Sequence, residues 1–256
     1  MSSNKETVSK TLGFVFIVCL VCAALVSVSA IGLKPLQQAN KLLDKQTKIL
    51  EASGLLEKAG SDIVGTYTKF VKAKMIELKT GEIIEGDTDS FDERSDSRDA
   101  SKSTKPKNDI AGISRRADRA VVYLVKDEQG QLDTIVLPIV GSGLWDLMYG
   151  FVGLAPDLNT VRSVVYSDLK ETPGLGAEVL NPKWKALWPG KKMYNEQGEP
   201  AIKLVKGGAK QGDYHGVDGL SGATLTSDGV TKTLRFWLGS EGYGPFVSKF
   251  KNGGLN

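Results

Sequence analysis

The segments AVVYLVK (120–126) and DTIVLPIV (133–140) decide the fold class of this chain. Both are rich in β-branched and apolar residues, and a polar stretch containing EQGQ separates them, which predicts a β-hairpin with a longer loop. VRSVVY (161–166) predicts a third strand, and IKLV (202–205) predicts a fourth.

A helix is predicted after these strands. Its apolar residues recur at intervals of three and four positions, as on one face of an α-helix: Val230, Leu234, Trp237 and Leu238. Strands followed by a helix, without regular alternation of the two, indicate an α+β fold. We therefore expect an α+β domain with an antiparallel or mixed sheet and flanking helices.

Composition narrows the possible functions. The chain has 256 residues, of which 33 are basic and 30 acidic, so its formal charge of +3 gives no support to nucleic-acid binding. Its two cysteines, Cys19 and Cys22, both lie in the first apolar segment, which excludes disulfides and cysteine-ligated metals from the rest of the chain. His215 is the single histidine, so a site with several histidine ligands is also excluded. We expect no metal site and no catalytic residues.

The apolar segment Leu12–Leu33 has 22 residues without a charge. As a helix it would be about 33 Å long, enough to cross the roughly 30 Å hydrocarbon core of a bilayer. A cleaved signal peptide is the alternative, since Val28-Ser29-Ala30 resembles a cleavage site. The length favours an uncleaved span, with residues 1–11 as a short tail and residues 34–256 as the large domain.

The charges that flank this segment leave its orientation open. Two lysines precede it (Lys5 and Lys10), and four follow closely (Lys34, Lys41, Lys45 and Lys48). The positive-inside rule alone would weakly place the large domain in the cytoplasm, but long domains are translocated largely regardless of charge.

The region between the span and the hairpin is less distinctive. Asn40–Gly54 predicts an amphipathic helix leaving the membrane, and Ile63–Leu78 predicts a further helical segment. The stretch from about 85 to 109 consists mainly of Asp, Glu, Ser, Lys and Arg, which predicts a solvated loop or insertion.

Two glycine-rich segments are GSGLWDLMYGF (141–151) and ETPGLGAEV (171–179). Taken alone they favour ordinary loops, and the alternative is a pair of loops in which backbone N–H groups approach a ligand. Neither has the pattern of a dinucleotide fold or of a P-loop. A third segment, DGLSGATLTSDGV (218–230), precedes the C-terminal helix, and Ser227 is a candidate cap for a helix starting near Asp228. Such a helix start is a natural seat for a phosphate. A threonine hydroxyl here has no evident activating base, so its modification would need another enzyme.

The string DGLSGAT (218–224) resembles the flavinylation motif of the FMN-binding domains of Na⁺-translocating NADH:quinone reductases and of the related Rnf complexes. The single N-terminal span, ETPGLG, GLW at Trp145, HGVDG and the C-terminal GPF…GGLN are similar to the NqrC family of reductase subunits over essentially the whole chain.

This resemblance implies a covalent FMN on Thr224 through a phosphoester bond. It further implies an FMN-binding region from about 118 to 240, in which the motif and the ETPGLG turn line the cofactor and Trp145 packs near its ring. The expected cofactor-binding residues are Trp145, Thr172, Gly174, Leu175, Gly176, Asp218, Ser221, Gly222 and Ala223.

The resemblance also implies a role and a location. We expect an electron-carrying subunit of a sodium-exporting NADH:quinone reductase, inactive alone, with its large domain on the periplasmic side of the bacterial inner membrane. Its partners would be the other subunits and a periplasmic Mg²⁺-dependent flavin transferase that uses FAD. The alternatives are an Rnf-type subunit and, in another class, a secreted periplasmic protein that binds an anionic ligand.

Overall fold

The computed structural model describes residues 8–253, which form two compact units, one up to Asp44 and one from Lys45 onward. The helices are α1 (Val8–Ala52), α2 (Leu56–Ala59), α3 (Ile63–Phe70), α4 (Glu93–Arg98), α5 (Pro182–Lys185), α6 (Thr224–Leu238) and α7 (Gly244–Gly253). The strands are β1 (Val71–Glu77), β2 (Glu82–Ile84), β3 (Ser103–Thr104), β4 (Arg116–Ala117), β5 (Arg119–Lys126), β6 (Leu132–Ser142), β7 (Leu147–Leu154), β8 (Val161–Asp168), β9 (Lys203–Val205) and β10 (Gly216–Asp218). The α+β fold class is confirmed.

The second unit is built on a six-stranded sheet with the order β2-β1-β5-β6-β7-β8, in which every pair is antiparallel. The predicted hairpin is its centre, β5 and β6. The predicted fourth strand exists as β9, but it pairs with β10 in a separate parallel pair. That pair leads directly into α6.

Both faces of the sheet are covered, and β5 shows how. Its alternate residues Ala120, Val122 and Leu124 join the larger core, which includes the apolar face of α6. Val121, Tyr123 and Val125 point the other way and join a second core with Ile49 and Ala52. Successive side chains of a strand point to opposite faces, so a continuous apolar strand indicates a sheet buried on both sides.

Strand β7 was not predicted from the sequence, where its two glycines favoured a loop. Both are required by close packing. A Cβ atom at Gly150 would lie against the carbonyl oxygen of Val165 on β8, and one at Gly153 would clash with the carbonyl oxygen of Ala52. Glycine inside a strand often marks such an approach by another backbone segment.

Helix α1 contains a stretch of mean hydropathy 2.9 and is long and apolar enough to cross a membrane. The predicted amphipathic helix over Asn40–Gly54 is confirmed up to Ala52, where α1 ends. Its last residues belong to the second unit, in which Ile49, Leu50 and Ala52 are fully buried.

Two expectations for residues 63–109 were wrong in part. The predicted helix over Ile63–Leu78 ends at Phe70, and its second half is β1, which pairs with β5. The predicted loop contains α4 and β3. Arg94 of α4 forms an ion pair with Asp168 (2.8 Å), and its guanidinium lies 3.5 Å from the centre of the Tyr149 ring. Long-range pairing, which local composition does not reveal, produces both differences.

Candidate functional site

The predicted flavinylation motif forms a tight turn between β10 and α6. The Gly219 amide donates to the carbonyl oxygen of Val205 (2.9 Å), and the Leu220 amide donates to the hydroxyl of Ser227 (2.9 Å). Helix α6 begins at Thr224, so the expectation that Ser227 caps a helix starting near Asp228 was wrong. Ser227 lies inside the first turn and donates to the carbonyl oxygen of Ala223 (3.0 Å).

The start of α6 provides free donors. Its N-cap residue is Ala223, which offers no side-chain acceptor to the first turn. The first N–H groups of a helix have no partner within the helix and carry its positive dipole end, a combination that favours a phosphate. Thr224 is the first helical residue, and its side chain is exposed, as are those of Ser221 and Leu225.

A second segment of the site is the loop between β6 and β7, which carries Trp145. The Trp145 side chain is 69% exposed, and its indole N–H donates to the hydroxyl of Thr172 (3.2 Å). Thus the structure brings together two of the predicted residues that lie far apart in the sequence.

The third segment is the turn that Thr172 begins. Its carbonyl oxygen accepts from the amides of Leu175 and Ala177 (both 3.1 Å), so these two N–H groups are not available to a ligand. Gly174 adopts a positive φ of 75°, which glycine reaches without strain. Leu175 is 42% exposed.

The turn and the motif are in contact. A Cβ atom at Gly222 would lie 3.0 Å from Cδ2 of Leu175, and one at Gly176 would lie 2.7 Å from the hydroxyl oxygen of Thr226. Exposed apolar side chains are clustered on the three segments: Leu144, Trp145, Leu175 and Leu225. Clustered exposed apolar residues beside a few polar donors are typical of a binding site.

Glu171 is a buried side chain that forms hydrogen bonds with two of these segments. It is only 7% exposed, and Oε1 accepts from the amides of Leu144 (2.8 Å) and Trp145 (3.2 Å). Its other oxygen, Oε2, accepts from the hydroxyl of Thr226 in the first turn of α6 (2.6 Å).

Asp218, the first residue of the motif, holds the preceding loop. Its carboxylate accepts from the Ala209 amide (2.8 Å), and its carbonyl oxygen accepts from the indole N–H of Trp184 (2.9 Å). The Asp218 side chain is exposed. These contacts fix the backbone where β10 ends and the motif begins.

One charged pair lies beside the Trp145 loop. Asp146, beside Trp145, accepts from the ammonium of Lys170, and this hydrogen bond lowers the pKa of the aspartate. Across residues 8–253, no group of three or more His, Cys, Asp or Glu side chains is placed to hold a metal ion.

Comparison with known proteins agrees with this geometry. An FMN-binding domain family matches residues 143–239, which contain all three segments. The NqrC protein of the Na⁺-translocating NADH-quinone reductase of Vibrio alginolyticus is 49% identical over the full length of both chains, and that of Yersinia pestis is 45% identical over 98% of this chain and 96% of its own.

The chain belongs to the NqrC family of Na⁺-translocating NADH-quinone reductase subunits.

Solved structures give the same result. The crystal structure of Shewanella oneidensis NqrC has a TM-score of 0.79 and 40% identity, and the comparison covers 84% of this chain and 99% of that one. The corresponding reductase protein from Parabacteroides distasonis has a TM-score of 0.67 and 28% identity over 84% of this chain and 97% of its own.

Sequence reasoning missed two residues of the site, Glu171 and Thr226. Glu171 directly precedes Thr172 and opens the ETPGLG segment, so its position in the sequence gave a signal. A glutamate in a polar loop nevertheless reads as solvated, and only the long-range contacts with Leu144 and Thr226 reveal that it is buried.

Proposed function

We propose that Thr224 carries FMN through a phosphoester bond. The observation that carries the proposal is the position of this hydroxyl: it is exposed on the first residue of α6, whose N-cap offers no competing acceptor. The amides of the first turn suit the phosphate, and the apolar side chains of Trp145, Leu175 and Leu225 offer a surface for a flavin ring. The residues present therefore fit FMN.

The modification needs an external enzyme. The Thr224 hydroxyl oxygen attacks the FMN phosphorus of FAD, the pyrophosphate bond breaks, AMP leaves, and the hydroxyl proton passes to a base of the transferase. Within residues 8–253, no carboxylate or imidazole is hydrogen-bonded to the Thr224 hydroxyl. Glu171, the buried carboxylate beside the first turn of α6, accepts from Thr226 and from two loop amides.

We further propose that the chain relays electrons inside the reductase. FMN supplies the electron-transfer chemistry when it is bound. A phosphate tether at Thr224 keeps the cofactor on this protein, while the exposed Trp145 and Leu175 leave its ring accessible to the other subunits. In this proposal α1 is an uncleaved membrane anchor and the second unit is periplasmic, because the transferase acts there.

Mass and fluorescence test the attachment. Protein purified from its own host should weigh one FMN minus one water more than the bare chain, and its denatured band should fluoresce. Thr224→Ala should abolish both signals. Ser221→Ala is the matched control, because Ser221 is an exposed hydroxyl in the same motif, and it should keep at least part of the fluorescence. A fluorescent Thr224→Ala band would place the bond elsewhere, and a flavin released by denaturation would favour a noncovalent binding protein.

Two experiments test the role and the orientation. In membranes with the Thr224→Ala complex, the NADH-oxidising subunit should still reduce an artificial acceptor, whereas Na⁺-dependent quinone reduction should collapse. Quinone reduction near the wild-type rate in an assembled complex would contradict the relay.

A reporter active only in the cytoplasm should be silent when fused to the C-terminus. An active reporter would show that the second unit is cytoplasmic and would contradict the proposed orientation.

A further inference from the structure

Glu171 is the buried charge at the centre of the candidate site. It is 7% exposed, whereas Leu144, Trp145 and Thr172 around it are exposed. A carboxylate taken out of water costs free energy unless hydrogen bonds replace its hydration. Glu171 receives three such bonds, from Leu144 N, Trp145 N and Thr226 Oγ1.

The donors come from two segments that are far apart in the sequence. Leu144 and Trp145 belong to the loop between β6 and β7, and Thr226 belongs to the first turn of α6, two residues after Thr224. The 2.6 Å bond from Thr226 Oγ1 places the carboxylate beside the positive end of the α6 dipole, which stabilises the negative charge. One side chain therefore joins the Trp145 loop to the helix start.

Glycines leave room for this carboxylate. A Cβ atom at Gly143 would clash with Oε1, and a Cβ atom at Gly176 would clash with Oε2. Because the backbone on both sides closes around the two oxygens, the side chain has little freedom to take another position. Close packing of this kind transmits a displacement of one segment to the other.

We propose that Glu171 is a positioning residue of the flavin site, one that fixes the Trp145 loop against the first turn of α6. It does not touch the modified hydroxyl. It acts through Thr226 and through the two loop amides, so that Trp145 and Thr224 keep one arrangement before and after the flavin is attached. The link to the flavin rests on the proposed function of Thr224.

Hydrogen exchange in the flavin-free protein tests directly whether Glu171 holds the Trp145 loop. In Glu171→Ala the Leu144 and Trp145 amides lose their acceptor, and we expect their exchange to accelerate about tenfold or more, as for the loss of a hydrogen bond to a charged group. Glu171→Gln keeps a carbonyl oxygen for both amides and should restore exchange to within about threefold of wild type. Wild-type exchange in a folded Glu171→Ala protein would overturn the proposal.

Flavin loading tests the consequence for Thr224. Flavin-free protein is incubated with FAD, Mg²⁺ and the transferase, and the rate of covalent loading is measured. We expect a loss of about tenfold in Glu171→Ala, an intermediate loss in Thr226→Val and substantial rescue in Glu171→Gln. The double variant of Glu171→Ala and Thr226→Val should load no more slowly than Glu171→Ala, because both changes break the same link.

Thr233→Val is the matched control for Thr226→Val. Thr233 is also a buried threonine of α6, but its hydroxyl donates within its own helix, to the carbonyl oxygen of Gly229 (2.8 Å). It should load like wild type. If Glu171→Ala does not fold, Thr226→Val carries the test, because it removes the donor to Glu171 Oε2, and loading at the wild-type rate in that variant would overturn the proposal. Failure of the wild-type protein to load would instead refute the proposed function. The exchange experiment would still test whether Glu171 joins the Trp145 loop to the first turn of α6.

Discussion

Gly222 lies directly against Leu175: a Cβ atom built on the glycine would come within 3.0 Å of the leucine Cδ2. This contact joins the motif that carries Thr224 to the turn expected to face the flavin ring. Gly222 also adopts a φ of 72°, in the left-handed region. Backbone conformation and packing therefore both favour glycine at this position.

Gly222→Ala should destabilise the domain and slow flavin loading. The positive φ alone costs about 1–2 kcal/mol for a residue with a Cβ atom, and the contact with Leu175 adds to this. Gly212→Ala is the control, because Gly212 has a φ of 83° but open space around a Cβ atom. Urea unfolding should show a loss in both variants, whereas loading should fall only in Gly222→Ala. Equal loading would show that the contact does not matter.

The ring surface can be tested by electrochemistry. Leu175→Asp places a negative charge on the expected flavin surface and should lower the midpoint potential, since reduction adds electrons to the cofactor. Trp145→Ala should also shift the potential, because it removes the expected packing partner. Both should keep the covalent flavin. Leu187→Asp, at a similarly exposed leucine outside the three segments, should leave the potential unchanged. Wild-type potentials in both site variants would place the ring against another surface.

The end of α1 should contribute strongly to the stability of the second unit. Leu50 is fully buried, and Leu50→Ala should lower the free energy of unfolding by about 2–5 kcal/mol, the usual cost of emptying such a site. Val64→Ala, at a side chain that is 54% exposed, should change it by less than about 0.5 kcal/mol. Urea unfolding of a fragment beginning at Lys45 measures both. A Leu50→Ala loss as small as that of Val64→Ala would contradict the burial.

Glu93 of α4 should make the stability of the second unit depend on pH. Desolvation of the partly buried carboxyl raises the pKa of Glu93 from its usual 4.5 to about 7, against the opposing charges of Lys45 and Arg94. The folded state therefore retains a proton that the unfolded state releases between these values. From this group alone, the free energy of unfolding should fall as the pH rises through that window, by at most about 1.4 kcal/mol per pH unit.

Glu93→Gln removes this titration and should flatten the profile in the same range. Asp99→Asn is the control, because Asp99 is an exposed carboxylate whose pKa is lowered by hydrogen bonds from Ser101. Unfolding titrations at several pH values check both variants. A wild-type slope in Glu93→Gln would show that another group causes the pH dependence.

Local patterns predicted the parts of the fold that depend on local properties. The hairpin strands β5 and β6 and strand β8 appear close to their expected bounds, because their apolar residues set both the secondary structure and the buried face. Helix α6 has the expected apolar face but begins at Thr224 rather than near Asp228. Strand β7 escaped prediction because Gly150 and Gly153 are selected by contacts with β8 and with Ala52. Similarly, β1 is a strand because β5 pairs with it.

The site shows the same division. Family resemblance, rather than residue physics, is the source of both the assignment of Thr224 and the expected place of Trp145, and both stay predictions. The sequence could not show that Glu171 is buried, because no local pattern distinguishes a buried, hydrogen-bonded loop carboxylate from a solvent-exposed one. Its role depends on donors 26, 27 and 55 positions away in the sequence.

The segment 85–109 matters to anyone who designs a shortened version of this domain. Its helix α4 is held to the sheet by Arg94, through Asp168 and Tyr149, and by Asp96, which accepts from Arg119 of β5 (3.0 Å). Deleting the segment as a dispensable loop would leave Arg119 without its carboxylate partner Asp96, and it would remove the Arg94 guanidinium that lies over the Tyr149 ring. A crystallisation or protein-engineering variant should therefore be trimmed elsewhere.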